Sequence, residues 1–501
     1  MVGRRELSVT IVGAGFGGIG AAIELRKHGI TDVTILERAT HLGGTWWHNT
    51  YPGCACDVPS HLYSYSFAQR KHWSRLCSPQ QEILDYLQGV ADDFDITGAV
   101  RTGTDVTACR WNDASRRWTV ESRDGRSWES DALIVATGQL HQPAYPRIDG
   151  IDDFAGHSFH SAQWDHDHKL AGRRVAVVGT GASAVQFVPA IAPEVGQLTV
   201  FQRTGNWFLP RKNHAYPGWL KTLFRTVPGV ETFRRSFVYW YAEFLTLMIR
   251  HPKTWGRVGK AKSAIFMQWQ LRDPEVRRKV WPDYTFGCKR VLFSSWFLKA
   301  LQRDNVTLVD DAITRITPTG LLTADGVEHD VDTIIWGTGF KTTDFMFPME
   351  ITGVDGRSLR DAWADGPHAY LGMTVPDFPS LFVMYGPNTN TSGGSIIYYL
   401  EAQAAYIRQA LELVRDRNVA ALAVRPEIEA DFDVATQARF GGTAWLRCDS
   451  WYRDDATGRN ITNWPGYMRE YADAVRVLDV EKFTLITLPE HDAATSTDIS
   501  A

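Results

Sequence analysis

VTIVGAGFGGIGAAIELRKHG, residues 9–29, is the stretch whose reading decides the fold. An apolar strand-like run ends at Gly13, Gly15 and Gly18, a helical pattern follows, and a second strand-like run (33–36) ends in Glu37. The unit recurs. VAVVGTGASAVQFVPAIA, residues 175–192, presents Gly179, Gly181 and Ala184 in the same order, and the strand-like run 198–201 leads to Gln202 and Arg203. The spacing from first glycine to strand-end charge is 24 residues in each copy, 13 to 37 and 179 to 203. The first glycine makes the turn, the second lets backbone approach a pyrophosphate, and the third position lets helix and strand pack closely. The pyrophosphate then rests on a helix N-terminus, whose unpaired N–H groups favour anions. The fold class expected is α/β, with two Rossmann-like dinucleotide-binding domains.

The strand-end residues differ in sign, which separates the ligands. Glu37 suits ribose hydroxyls, as in the adenosine of FAD, whereas Arg203 suits a 2′-phosphate, as in NADP. Thr180, Ser183, Gln186 and Thr204 flank the second fingerprint and are counted with the NADP site. DALIVATGQL (131–140) and DTIIWGTGF (332–340) read as the crossings between the two units. The expected division is an FAD domain from 1–145 and 341–501, an NADP domain from 146–212 and 283–340, and a helical insertion at 213–282. The apolar stripe of that insertion reads as core or interface rather than a membrane anchor. The polar stretch PEHDAATSTDISA (489–501) is expected to be disordered.

Composition narrows the function classes. The chain has 501 residues, 44% hydrophobic and 22% charged, with a formal charge of -4. A near-neutral balance offers no general field for polyphosphate, so no nucleic-acid partner is expected. The six cysteines (Cys54, Cys56, Cys77, Cys109, Cys288, Cys448) are scattered, without the paired spacing of a zinc site, and no metal site is expected. The chain is no small secreted scaffold, so a reducing compartment is expected. Cys54 and Cys56 stand two apart, closer than the redox pair of flavin disulfide reductases, and a redox dithiol is disfavoured. The apolar run 9–12 is too short for a signal peptide, and the 13-residue run 237–249 contains Glu243 and is too short to span a bilayer. A cytoplasmic protein without a transmembrane segment is expected.

Two longer patterns carry a family resemblance. FAGHSFHSAQWD (154–165) has Phe154, Gly156, His160, Trp164 and Asp165 in an FxGxxxHxxxWD spacing, and GGTWWHNTYPGCACD spans 43–57. Both are similar to fingerprints of the type I Baeyer–Villiger monooxygenases, a resemblance covering about residues 7 to 470. It implies an NADPH- and O2-dependent flavin enzyme that converts ketones to esters or lactones through a C4a-peroxyflavin. In FGCKR (286–290) it makes Arg290 the candidate active-site arginine and Lys289 a second cation for the NADP phosphate. It sets Asp57 against that arginine. Thr45, Trp46, Trp47, His48, Tyr63 and, through backbone, Val106 would line the flavin, with Ile396 of GPNTNTSGGSI (386–396) at the ring. Trp451 of CDSWY (448–452) would fold over NADP. Beyond it, RDDATGRNITNWPGY (453–467) departs from the commonest family ending. His160 reads as a hinge or structural residue.

An arginine is always protonated and can hold a peroxide anion and then an oxyanion in a dry pocket, with Asp57 orienting it. The aromatic insertion hints at a bulky, hydrophobic ketone. Two other classes stay open: a flavin N- or S-oxygenase, against which Trp164–Asp165 argues, and a non-oxygenating NADPH-binding sensor, against which Arg290 and Asp57 argue.

Overall fold

The computed structural model describes residues 5–489 apart from 212, 343, 392 and 455. Most of 489–501, read as disordered, therefore lies outside the described residues. Two five-stranded parallel sheets form the frame. The first runs in the order Leu381–Val383, Ala132–Val135, Ser8–Val12, Asp32–Leu36, Val100–Arg101. The second runs Val306–Val309, Gln197–Phe201, Arg174–Val178, Thr333–Trp336, His157–His160. Their central strands are apolar runs buried on both faces, as expected for parallel strands covered by helices.

The repeat read in the sequence is a repeat in space. In the first sheet Val12 lies between Leu36 and Val135; in the second Val178 lies between Phe201 and Trp336. Each fingerprint strand is thus flanked by its own second strand and by a crossing strand. The first glycine of each unit has φ near +106° (Gly13) or +107° (Gly179). A Cβ on Gly13 would stand 2.6 Å from the Ala136 carbonyl oxygen, and one on Gly179 2.5 Å from that of Gly337. Both turns require glycine for the same reason. The two crossings are stitched together: Ala144 N–H donates to the Gly339 carbonyl (2.9 Å), and Lys341 N–H to that of Gln142 (2.9 Å).

The motif at 154–165 supports the edge of the second sheet. A Cβ on Gly156 would meet the Phe154 ring at 2.5 Å, which accounts for the F-x-G spacing. Trp164 packs on Phe159 and Phe187, and Asp165 holds His157 at 2.9 Å. His160 is fully buried, its Nδ1 accepting from Ala162 N–H (3.1 Å), and burial pushes it down to about 4. Burial thus favours its neutral form, and its ring lies between those of Tyr145 and Phe340 (centroids 5.5 and 6.0 Å).

The insertion is helical: Gly218–Thr226, Val230–Arg250, Trp255–Gln270 and Pro274–Val280. Glu243, the one charge in the run 237–249, is buried and accepts from Met468 N–H (3.2 Å) and Arg469 N–H (3.1 Å), capping the Met468–Ala474 helix. No helix among the described residues is long and apolar enough to cross a membrane.

Candidate active site

A cavity of about 1430 Å³ opens beyond the carboxyl ends of the first sheet. Gly13, Gly15, Glu37, Thr45, Trp46, His48, Asp57, Tyr63, Val106 and Ile396 line it, together with Ser183, Gln186, Arg290 and Trp451. Gly18 lies beneath, where a Cβ would stand 1.9 Å from the Gly13 carbonyl oxygen, so glycine alone permits the strand and helix to close. Trp47 is not in the lining; its ring stacks on His41 with centroids 4.2 Å apart. Trp46 instead turns to the cavity side, its Nε1 donating to the Tyr63 hydroxyl (3.2 Å).

The residues present fit a dinucleotide. The Phe16–Lys27 helix begins at Gly15 with no side-chain cap and no acidic residue in its first turn, leaving its N–H groups for an anion. Glu37 is buried at the strand end and accepts from Ala14 and Ala39 N–H, each at 2.8 Å, with carboxylate lone pairs to spare. The Ala184–Ile191 helix likewise starts without a side-chain cap, and a Cβ on Gly181 would meet nothing within 4 Å. Gly179, Thr180, Gly181, Arg203, Thr204 and Lys289 lie outside the cavity lining. Thr180 is engaged by Asn206 (3.1 Å to its carbonyl). Arg203 and Lys289 face each other closely enough that burial and the Arg203 charge push the Lys289 ammonium below its ordinary range. Two like charges held together this way are relieved by an anion between them.

Arg290 and Asp57 meet 233 residues apart in sequence, Nη2 to Oδ2 at 2.5 Å. The Arg290 side chain is 38% exposed and faces the cavity. Burial alone would raise the Asp57 carboxyl, but the charges of Arg290 and Arg211 outweigh it and hold Asp57 below the usual carboxylate range. Asp57 in turn raises Arg290 against the effect of burial. The pair is locked in its ionised form.

Arg211 is the residue that sequence reasoning missed. It is buried, donates to the Cys56 carbonyl (2.5 Å) and adds a second guanidinium beside Asp57. Its only signal is position, a basic residue soon after the second fingerprint. Tyr452, next to Trp451, and Tyr385 also line the cavity, and burial pushes both phenols up, Tyr385 to about 12. Gln186 clips the two nucleotide units together, its Oε1 accepting from Ala55 N–H and its Nε2 donating to the Ala55 carbonyl, both 3.0 Å.

The cysteines divide. Burial pushes the Cys54 thiol up to about 11 and raises Cys56 well above its ordinary range, which disfavours the thiolate that a redox pair needs. Against the expectation from their scatter, Cys288 and Cys448 form a disulfide across 160 residues. It fastens the segment carrying Lys289 and Arg290 to the one carrying Trp451 and Tyr452. The departure at 453–467 also has a structural role: Asn388 donates to the carbonyls of Asn460 (2.6 Å) and Asn463 (3.0 Å), and Asn390 to Asn463 Oδ1 (2.9 Å). These asparagines, all buried except the half-buried Asn390, fasten the 453–467 segment to the loop ahead of Ile396.

Residues 10–227 match the family described as pyridine nucleotide-disulphide oxidoreductase. The chain is 41% identical over 489 residues to a Baeyer–Villiger monooxygenase of Streptomyces coelicolor, covering 96% of this chain and 93% of that one. This chain belongs to the Baeyer–Villiger monooxygenases. Among solved structures it resembles an oxidised steroid monooxygenase bound to NADP (30% identity, TM-score 0.84, 96% of this chain and 99% of that one). It also resembles the OTEMO complex with FAD and NADP (29%, TM-score 0.84, 96% and 99%). The disulphide-oxidoreductase match covers residues 10–227, which include both glycine fingerprints of this Baeyer–Villiger monooxygenase.

Proposed function

We propose that this protein oxidises ketones to esters or lactones with NADPH and O2, binding FAD at the first fingerprint and NADP at the second. The observation that carries the reading is the Arg290–Asp57 pair on the wall of the cavity that the first fingerprint also lines. FAD, when bound and reduced by NADPH, supplies the site at which O2 is activated for transfer to the carbonyl.

The chain's own residues then have separable tasks. Gly13, Gly15 and the uncapped helix N-terminus would hold the FAD pyrophosphate, and Glu37 its ribose. Arg203 and Lys289 would hold the NADP phosphate. Arg290 donates N–H bonds to the negative charge that develops on oxygen at the ketone. One such preorganised donor is worth about 10² to 10³ in rate. Asp57, ionised and short-bonded to Arg290, fixes the plane of the guanidinium and is no proton donor. The cavity lining also includes the apolar Val238, Leu245, Phe293 and Met346, and the substrate proposed is an apolar ketone. The domain division is proposed as 1–145 with 341–501 for FAD, 146–212 with 283–340 for NADP, and 213–282 for the insertion; the compartment proposed is the cytoplasm.

The test is product analysis of the FAD-loaded enzyme with NADPH, offered a cyclic ketone beside a thioether. The expected result is lactone formed in step with NADPH consumed. Sulfoxide alone would assign the chain to heteroatom oxygenation, and hydrogen peroxide alone would remove the oxygen-transfer role.

A further inference from the structure

The insertion carries a surface that ketone oxidation does not require. Along the Val230–Arg250 helix the exposed residues Phe233, Phe237, Trp240, Tyr241 and Phe244 recur at i, i+4, i+7, i+8 and i+11, one outward stripe made of aromatic rings. The opposite face of the same helix, with Val238, Ala242, Leu245 and Ile249, is buried in the protein. The next helix, Trp255–Gln270, repeats the device: Trp255, Val258, Lys262, Ile265 and Trp269 lie at i, i+3, i+7, i+10 and i+14. Phe233 is 74% exposed, Trp269 71% and Trp219 of the preceding helix 69%. The stripes adjoin, since the rings of Phe244 and Trp255 meet at 5.8 Å and the Lys262 ammonium sits 5.9 Å from the Tyr241 ring centre.

The surroundings of this aromatic face are basic. Residues 218–270 hold nine Lys or Arg against two Asp or Glu, a net +7 in a chain of -4, leaving -11 for the remainder. One of the two acids, Glu243, is buried as a helix cap. Arg235 and Arg250 are paired with Glu401 and Glu470. Lys221, Arg225, Arg234, Lys253, Arg257, Lys260 and Lys262 form no ion pair with any described residue.

We propose that the aromatic stripes of helices Val230–Arg250 and Trp255–Gln270, with their unpaired Lys and Arg, dock this protein in the plane of an anionic phospholipid bilayer. Amphipathic rings bury at the headgroup level while long cationic side chains reach lipid phosphates and carboxylates around them. The charge favours lipid over a second copy of the chain. A two-fold dimer would set this patch against itself and bring two sets of like charges together. The position fits as well: Phe237 and Tyr241 belong both to the outward stripe and to the lining of the active-site cavity, so the docked face adjoins the cavity wall. No helix needs to cross the bilayer, in keeping with the lengths observed.

The test is sedimentation of the FAD-loaded full chain with vesicles of phosphatidylcholine and phosphatidylserine in equal parts, beside vesicles of phosphatidylcholine alone. The protein should sediment with the anionic vesicles, less as salt is raised, and at least about tenfold more weakly with neutral ones. The double variant Phe233→Ser, Trp240→Ser, which spares the cavity lining, should lose at least about tenfold in vesicle binding with flavin absorbance and melting temperature unchanged. Lys253→Glu with Lys262→Glu should abolish the preference for phosphatidylserine. Absence of vesicle binding, or equal binding by the aromatic variant, would overturn the proposal. So would a dimer in sedimentation velocity that the aromatic variant dissolves while vesicles capture nothing, which would assign the face to a second copy.

Discussion

Gly15 and Gly18 stand three residues apart in one fingerprint, yet the structure assigns them different failures. A Cβ at Gly18 would lie 1.9 Å from the Gly13 carbonyl oxygen and 3.2 Å from Ile11 Cγ2. Restoring ordinary contact at 3.4 Å means pushing helix from strand by about 1.5 Å (from 1.9 to 3.4), at the core of the first sheet. Overpacking of this kind costs about 1–3 kcal/mol or more. A Cβ at Gly15 would meet only the Gly44 Cα, at 3.6 Å, which is ordinary contact. Gly15→Val should therefore leave the apoprotein's melting temperature near that of the parent and still purify colourless, because the branched side chain fills the space into which a pyrophosphate must come. Gly18→Ala should lower the melting temperature of the apoprotein itself and lose flavin as a consequence. The assay is thermal unfolding of both apoproteins, followed by FAD titration watched through flavin fluorescence. A Gly15→Val variant that binds FAD as tightly as the parent would refute the assignment of the first fingerprint. A Gly18→Ala variant as stable as the parent would refute the packing argument.

Four further outcomes are expected. Arg203→Ala should raise the KM for NADPH by about tenfold to a hundredfold while scarcely moving that for NADH, since the charge-assisted bond proposed to the 2′-phosphate would be lost. Lys289 is already pushed down by burial and Arg203, so the KM for NADPH should climb with rising pH earlier than for an ordinary lysine, and Lys289→Arg should flatten that climb. His61 and His160 are both pushed from 6.5 down to about 4 by burial, so the unfolded chain takes their protons first. Stability is complete above pH 6.5 and falls as pH drops toward 4, by at most about 3 kcal/mol for each histidine. Melting temperature against pH checks this, and His61→Phe should remove part of the acid loss. Asp57→Asn leaves Arg290 and Arg211 without their shared counter-charge; kcat should fall by about tenfold or more while FAD stays bound, which steady-state kinetics and flavin absorbance separate.

Much of the frame was legible because it is periodic. The glycine spacing rests on local backbone requirements, and the same unit reappears in the matching registers around Val12 and Val178. What was not legible depends on contacts far apart in sequence. Arg211 and the Cys288–Cys448 bond have no local pattern, since their partners are 155 and 160 residues away. Trp46 and Trp47 are the same residue type side by side, and only the direction of a short helix separates the one in the cavity from the one against His41. In the Val230–Arg250 helix the apolar residues run nearly all the way round, so periodicity could not tell the buried face from the outward aromatic one.

Arg290 carries the central claim, and its replacement isolates oxygen transfer from cofactor binding. FAD-loaded Arg290→Ala should be yellow, because the FAD contacts proposed above lie mainly in the first fingerprint and the 43–57 segment. Incubated with NADPH, O2 and a cyclic ketone, it should form no detectable lactone, and Arg290→Lys should recover little, since an ammonium cannot meet Asp57 and the developing oxygen charge in one planar fork. Near-normal lactone formation by Arg290→Ala with FAD properly bound would contradict the account and move the role to another cation, with Arg211 and Lys289 the first to examine.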